Sequence, residues 1–215
     1  MVLKVYGTPG SLCTKRVAVV LYEKQIPFKL YAVDMAKGEN KSPEYLEKQP
    51  FGQIPYIDDD GFIIYESRAI GAYIATKYPD QGTRDLIPKD PKTNALYLQA
   101  ASVELAHFDE HASKIVWEKV IKPKLGLITD QAAVDDQVIR LAAKLDVYDK
   151  ILSRQKYVAG NELTLADLYH LPYASLLGAA GIDLLEKRPN VLRWYKEISA
   201  RPSWQAVKDT IKGTA

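Results

Sequence analysis

The step Ile54-Pro55 constrains this chain more than any other pair of residues. A proline fixes its own φ, withholds an N–H and pushes the residue before it toward an extended backbone. X-Pro bonds are also the peptide bonds that adopt the cis form at modest cost. Here the step ends the run Gln49-Pro50-Phe51-Gly52-Gln53-Ile54-Pro55, and a tight turn with a cis bond would aim the N–H and C=O of Ile54 outward. An extended peptide can pair with such a residue as an added strand end. A little further on, Tyr65-Glu66-Ser67-Arg68-Ala69-Ile70 opens a segment in which Ala69, Ile70, Tyr73 and Ile74 recur at helical spacing. The start of that helix offers unpaired N–H groups and a positive dipole end to a carboxylate, with Glu66 beside it for an ammonium. Together these groups suit a small peptide that ends in an amino-acid zwitterion.

The chain around this feature has two textures. Up to residue 79, strand and helix patterns alternate. Residues 2–6 read as a strand stopped by Gly7-Thr8-Pro9-Gly10, residues 16–24 as a helix, and residues 28–33 as a second strand. A polar loop at 37–42 leads to a short helix at 43–48, with Ser42 as N-cap and Pro43 at its first position. Residues 54–57 and 62–65 flank Asp58-Asp59-Asp60-Gly61, a hairpin signal because Asp-Gly supplies positive φ. The order β-α-β-α-β-β-α is that of a thioredoxin-like domain, placed at residues 1–79.

Residues 80–91, with Gly82, Pro88 and Pro91 among charges, read as a linker. Beyond it strand signals vanish, so 92–215 is expected to be an all-α domain. Helices are predicted at about 92–118, ended by Lys122-Pro123, at 131–153 along the stripe Leu141, Leu145, Tyr148 and Leu152, and from Thr164 onward. Thr164-Leu165-Ala166-Asp167 fits a capping box, with Leu163 and Leu168 placed as a staple, so both polar residues are structural and their loss should cause misfolding. Two shorter helices are predicted at 191–200 and 203–212.

A net charge of +2 over 215 residues gives no strong field, which argues against nucleic acid or an anionic membrane as partner. The one cysteine, Cys13, forbids an intrachain disulfide and suits a reducing compartment. No run approaches the roughly 18 to 20 apolar residues of a membrane span, and the N-terminus lacks the pattern of a signal peptide. A cytoplasmic protein is expected. His107, His111 and His170 show no metal-like grouping.

Three motifs in order resemble the glutathione transferase family over the whole chain: residues 49–55, Glu66-Ser67-Arg68-Ala69-Ile70, and Tyr157-Val158-Ala159-Gly160-Asn161-Glu162-Leu163-Thr164-Leu165-Ala166-Asp167. The stretches Ser11-Leu12-Cys13-Thr14-Lys15-Arg16 and Lys122-Pro123-Lys124-Leu125-Gly126 are most similar to the phi class, whose members are homodimers with a serine at the reactive thiol. The resemblance implies conjugation of glutathione, as co-substrate and with no permanent cofactor, to small hydrophobic electrophiles. The same thiolate can attack a peroxide oxygen, which adds reduction of organic hydroperoxides. Two other readings stay open: a non-catalytic ligand carrier or scaffold like the transferase-like domain of elongation factor 1 gamma, and a cysteine-dependent thiol transferase or dehydroascorbate reductase.

The chemistry required is thiol activation. A thiol titrates near about 8.5, so lowering it by two units takes about 2.7 kcal/mol of preference for the anion. A hydroxyl donor to the sulfur contributes roughly 1.5–3 kcal/mol and a helix N-terminus roughly 0.3–1. Ser11, just after Pro9-Gly10 at the mouth of the first helix, is the expected donor. Taken alone it would read as a helix cap; Thr14 is the weaker alternative. The cysteine of relatives that form mixed disulfides falls at Ser11 here, two positions before Cys13, so Cys13 reads as a packed or incidental thiol.

By resemblance, Gln53 and the backbone of Ile54, before Pro55, hold the cysteinyl part of glutathione. Glu66 takes the γ-glutamyl ammonium and Ser67 with the helix end its α-carboxylate, while Lys41 pairs with the glycyl carboxylate. Taken alone, Lys41 would be a solvated lysine. Arg68 either binds ligand or joins an interface ion pair. An apolar electrophile pocket is expected from Leu12, Met35, Phe108, His111, Trp117 and Ile121, each of which taken singly reads as core. Phe51 resembles the family's intersubunit key.

Overall fold

A computed structural model describes residues 2–215 as two compact units, one running to Ile87 and taking back Arg201–Ala215, the other comprising Pro88–Ala200. In the first, strands β1 (Leu3–Gly7), β2 (Phe28–Ala32), β3 (Tyr56–Asp59) and β4 (Phe62–Tyr65) form one sheet in the order β2-β1-β3-β4. β1 pairs parallel to β2, as the intervening helix α1 (Leu12–Glu23) requires, and antiparallel to β3. The β3–β4 hairpin turns at Asp60 and Gly61, both at positive φ, with the Gly61 N–H donating to Asp58 Oδ1 at 2.7 Å. Helix α3 (Ser67–Lys77) packs against α1, and Val17, Val20, Leu21, Ile57, Ile70 and Ile74 are fully buried. The other face carries a row of rings across all four strands, since the register sets Tyr6 opposite Tyr31 and Tyr56, and Tyr56 opposite Tyr65. Tyr6 stacks on Tyr31 at 4.9 Å and on Tyr56 at 4.5 Å.

Four expectations are corrected here. Helix α1 starts at Leu12 rather than residue 16, because Ser11 has the extended backbone of a cap (φ −68°, ψ 130°) and lets the helix begin at once. Strand β3 starts at Tyr56, which leaves Ile54 and Pro55 outside the ladder. The helix expected at 203–212 is only the four-residue α10 (Pro202–Gln205), and residues 206–215 run as an irregular strap along the first unit. Lys15, itself buried, donates from Nζ to the Lys208 carbonyl at 2.6 Å, Thr214 N–H donates to Phe28 O at 2.9 Å, and Phe28 N–H donates to Thr214 Oγ1 at 3.1 Å. These bonds replace those a helix would make and cover the outer edge of β2. The last fifteen residues therefore belong to the first unit, not to the helical domain expected at 92–215.

In the second unit, α4 (Pro91–Val103), α5 (Glu110–Val116) and α6 (Lys122–Lys124) are one continuous helix, interrupted by π-helical turns at Glu104–Asp109 and Trp117–Ile121. The helix thus passes residue 118 and ends just after Pro123. The stripe Leu141, Leu145, Tyr148 and Leu152 of α7 (Gln131–Leu152) is buried as expected. At the start of α8 (Leu165–Leu177) the capping box is present: Thr164 N–H donates to Asp167 Oδ2 at 2.9 Å. Asp167 Oδ1 accepts from the indole Nε1 of Trp194, on α9 (Pro189–Ser199), at 2.9 Å. His170 donates from Nδ1 to the Ala166 carbonyl at 2.7 Å, which leaves Nε2 to accept from the Tyr148 hydroxyl at 3.0 Å. Among the described residues no helix is long and apolar enough to cross a membrane.

Candidate active site

Ser11 sits where the turn after β1 enters α1. Its N–H donates to Thr8 O at 3.1 Å, and its Oγ accepts from the Thr14 N–H at 3.3 Å. The oxygen is thus engaged as an acceptor while the hydroxyl hydrogen has no acceptor among the described residues. Ser11 is half-buried at the positive end of a twelve-residue helix, the arrangement a hydroxyl donor to an anion needs. Thr14 is fully buried, and its Oγ1 has no partner among the described residues. A Cβ built on Gly7 would lie 2.6 Å from that Oγ1 and 3.3 Å from Pro55 Cβ, so Thr14, Gly7 and Pro55 are packed together. The first turn of α1 is therefore adjacent to the proline of the loop.

The Ile54-Pro55 bond is cis. The loop ahead of it is held from beneath. Ser42 caps α2 (Pro43–Leu46) by accepting from Tyr45 N–H at 3.2 Å, as its sequence predicts. Tyr45 then donates its hydroxyl to the Gln53 carbonyl at 2.7 Å, and burial pushes that hydroxyl's pKa up, so it stays a donor. Buried Gln49 accepts from Gln53 N–H at 3.2 Å, and buried Asn40 donates to Gly52 O at 2.6 Å. Ile54, outside the ladder, spends neither its N–H nor its C=O on a hydrogen bond among the described residues. Lys41 is exposed, and its Nζ donates to Phe51 O at 3.0 Å.

Glu66 stands before α3 with φ 70° and ψ 111°, a backbone that a residue with a side chain adopts only when its surroundings impose it. Its exposed carboxylate caps nothing and enters no hydrogen bond among the described residues. Ser67 is buried, and its Oγ accepts from Arg16 Nη1 at 3.0 Å. Arg68 is half-buried. Ser11, Gln53, Ile54, Pro55, Glu66, Ser67 and Arg68 thus all lie in the first unit, on two helix starts and the loop beside them.

The six residues expected to line an electrophile pocket are not alike. In the first unit, Leu12 is buried and Met35 is 43% exposed. In the second, Phe108 is buried with its ring 4.8 Å from that of His170, and buried His111 meets Gln137 Oε1 through Nδ1 at 2.8 Å. Trp117 is 42% exposed, and with Ile121 it bounds the second π turn. Such turns recur at functional sites and leave no mark in the hydrophobic period. Sequence reasoning assigned no role to Arg16, Asn40, Tyr45 and Gln49, although Gln49 and Arg16 lie inside stretches it singled out. A further signal for Arg16 was a charge beside the run Val17-Ala18-Val19-Val20-Leu21.

Residues 1–76 match the model of the glutathione S-transferase N-terminal domain, and residues 108–202 that of its C-terminal domain. Glutathione S-transferase APIC of Nicotiana tabacum is 42% identical over 205 residues, 95% of this chain and 96% of that protein. The crystal structure of glutathione transferase F7 from Populus trichocarpa superposes with a TM-score of 0.92 at 40% identity, over 97% of this chain and 98% of that one. Glutathione S-transferase I from mais, solved in complex with an atrazine glutathione conjugate, does so with a TM-score of 0.90 at 32% identity, over 97% of each. The chain belongs to the glutathione S-transferase family, within its phi class.

Proposed function

We propose that this protein conjugates glutathione to hydrophobic electrophiles, with Ser11 stabilising the thiolate. The observation that carries the proposal is the hydroxyl of Ser11, at the mouth of α1 with its oxygen already accepting from Thr14 N–H, so that its hydrogen is the part left to meet a sulfur anion. The cysteinyl backbone of the peptide would pair with Ile54, the γ-glutamyl ammonium with Glu66, and its carboxylate with Ser67 and the start of α3. Lys41 would turn from Phe51 O to the glycyl carboxylate, and Arg68 would close the γ-glutamyl end. The thiol loses its proton to solvent, the sulfur forms a bond to the electrophilic carbon, and the leaving group departs with its electron pair. With an organic hydroperoxide the sulfur attacks the outer oxygen, the O–O bond breaks and the alkoxide takes a proton from solvent to leave as the alcohol; a second glutathione then attacks the resulting sulfenic acid, giving glutathione disulfide and water. A single cysteine, free and half-buried, favours a reducing compartment, which for this protein we take to be the cytoplasm.

A glutathione-resin pull-down combined with aryl-halide conjugation tests the reading. Ser11→Ala should lose about ten- to hundredfold in kcat/KM, the worth of a hydrogen bond to a charged group. Its pH–rate profile should move to higher pH by about one to two units. Cys13→Ser should keep its activity. Binding without turnover in the wild type would overturn the proposal; so would turnover that depends on Cys13 instead of Ser11.

We also propose that the protein works as a homodimer in which Phe51 docks in the partner. Phe51 is 64% exposed on a loop whose backbone is fixed by Asn40, Gln49 and Tyr45. In the helical unit a cavity of about 240 Å³, lined by Leu96, Ala100, Val103, Tyr148 and Ile151 with Gln99 and Gln155 among them, is mostly apolar and of a size for one aromatic ring.

A further inference from the structure

Arg16 is 1% exposed in the second turn of α1, and one of its nitrogens, Nη1, lies 3.0 Å from Ser67 Oγ and 3.7 Å from Cys13 Sγ. A guanidinium only donates, so the Ser67 oxygen is the acceptor of this bond. No other hydrogen bond engages the Ser67 side chain among the described residues, and its hydroxyl hydrogen is left to donate elsewhere. Ser67 is the first residue of α3 and comes directly after Glu66 in its strained conformation, so the hydroxyl stands where the helix's unpaired N–H groups begin. A buried cation whose nearest hydroxyl has a hydrogen to spare, at a helix N-terminus, makes a receptor for an anion. The guanidinium keeps its charge even when buried, which a lysine ammonium, whose pKa falls readily on burial, would not.

We infer that Arg16 is a positioning residue for the γ-glutamyl carboxylate: through Ser67 it presets a donor and supplies the charge by which the site distinguishes glutathione from peptides lacking that carboxylate. This rests on the reading of Ser67 and α3 as the γ-glutamyl end of a glutathione site. Arg16 touches neither the sulfur nor the electrophile, so it sets binding and leaves the chemical step to Ser11.

The test compares glutathione with 4-aminobutyryl-cysteinyl-glycine, the same peptide without its α-carboxylate, by calorimetric binding and steady-state conjugation. The wild type should prefer glutathione by about ten- to hundredfold. In Arg16→Met that preference should collapse to within about threefold, KM for glutathione should rise by about tenfold or more, and kcat should change little. In a Ser67→Ala background the Arg16→Met change should add almost nothing to the loss of preference, because the two act as one unit. Should Arg16→Met not fold, Arg16→Gln, which keeps amide donors at that buried position without the charge, is read in the same way. A folded Arg16 variant with the wild-type preference intact overturns the inference, as does an Arg16 effect of full size when Ser67 is alanine. Failure of the wild type to bind glutathione at all would instead remove the reading on which it rests.

Discussion

Glu23 at the end of α1 and Arg201 at the start of α10, 178 positions apart, form a two-pronged ion pair, Nε to Oε1 at 2.5 Å and Nη2 to Oε2 at 2.8 Å. The buried Glu23 carboxylate also accepts from the hydroxyls of Ser203 and Thr83, each at 2.5 Å. It ties the returning chain to the first unit just ahead of the strap that Lys15 and Phe28 hold. Burial pushes the pKa of Glu23 up, but the bonds from Arg201, Ser203 and Thr83 outweigh it and leave it below the ordinary 4.5. A depressed carboxylate contributes stability that is complete above its unfolded value and is lost as pH falls through the folded one.

Glu23→Gln should therefore cost about 3 kcal/mol, the low end for breaking a buried pair, because the Arg201 side chain keeps 28% exposure. Thermal melts of the wild type should decline as pH drops below 4.5, and those of Glu23→Gln should decline less. Parallel curves for the two proteins would show that Glu23 is not the group responsible.

The parts of this fold that could be read from the sequence are those decided by neighbours. Ser42-Pro43 starting α2, Asp60-Gly61 turning the hairpin, and Thr164 with Asp167 starting α8 each need only residues within a few positions. The strap eluded the sequence because what unwinds residues 206–215 is chemistry from far away, the Lys15 ammonium and the backbone of Phe28. Hydrophobic period places the start of α1 too late, since Cys13, Thr14 and Lys15 lack an apolar period while Ser11 already caps the helix. In the candidate site, Glu66 and Ser67 were legible as a helix start. Arg16 was not, because a guanidinium buried under Ser67 has the same one-letter signature as one in solvent. Phe108 was legible as apolar, but its packing on the ring of His170 depends on a residue 62 positions away.

Asp167 collects four donors: Val158 N–H at 3.0 Å and Trp194 Nε1 at 2.9 Å on one oxygen, Thr164 N–H at 2.9 Å and Thr164 Oγ1 at 3.1 Å on the other. Asn is close in size but replaces one oxygen with a group that donates, so two donors would face an amide N–H. Asp167→Asn should lose about 2–3 kcal/mol or more, with a Tm several degrees lower. Any fall in activity should track the folded fraction, with KM for glutathione unchanged in the molecules that fold. A selective rise in KM at wild-type Tm would place Asp167 in the site instead of under it.

Phe51 bears on assembly. Among the described residues its one ring–ring contact is edge-on with Tyr65, centroids 6.1 Å apart, and it leaves most of its surface to solvent. Phe51→Ser should shift the protein from dimer to monomer in light scattering at micromolar concentration. Ala100→Trp, which fills that cavity in the helical unit, should do the same from the other side. Mixing the two variants should not restore more than one of the two contacts per pair. A Phe51→Ser protein that remains dimeric at the lowest measurable concentration would rule out this ring as the anchor.

Gly52 ties the loop to Lys41. It has φ 60°, and a Cβ there would lie 2.6 Å from Lys41 Nζ and 2.7 Å from the Asn40 carbonyl. The lysine can swing away, whereas the carbonyl belongs to a buried residue whose amide holds Gly52 O. An alanine would also adopt the left-handed backbone at a cost of about 1–2 kcal/mol. Gly52→Ala should thus lower stability by about that amount or more. It should also raise KM for glutathione, since both Lys41 and the loop that presents Ile54 must shift. Lys41→Ala separates the two effects, because it removes the ammonium without touching the backbone. If the glycyl carboxylate is held by Lys41, Lys41→Ala should raise KM for glutathione at wild-type Tm, and Gly52→Ala should raise it further. Equal KM values in wild type and Lys41→Ala would leave the loop backbone as the binding element and release Lys41 from that role.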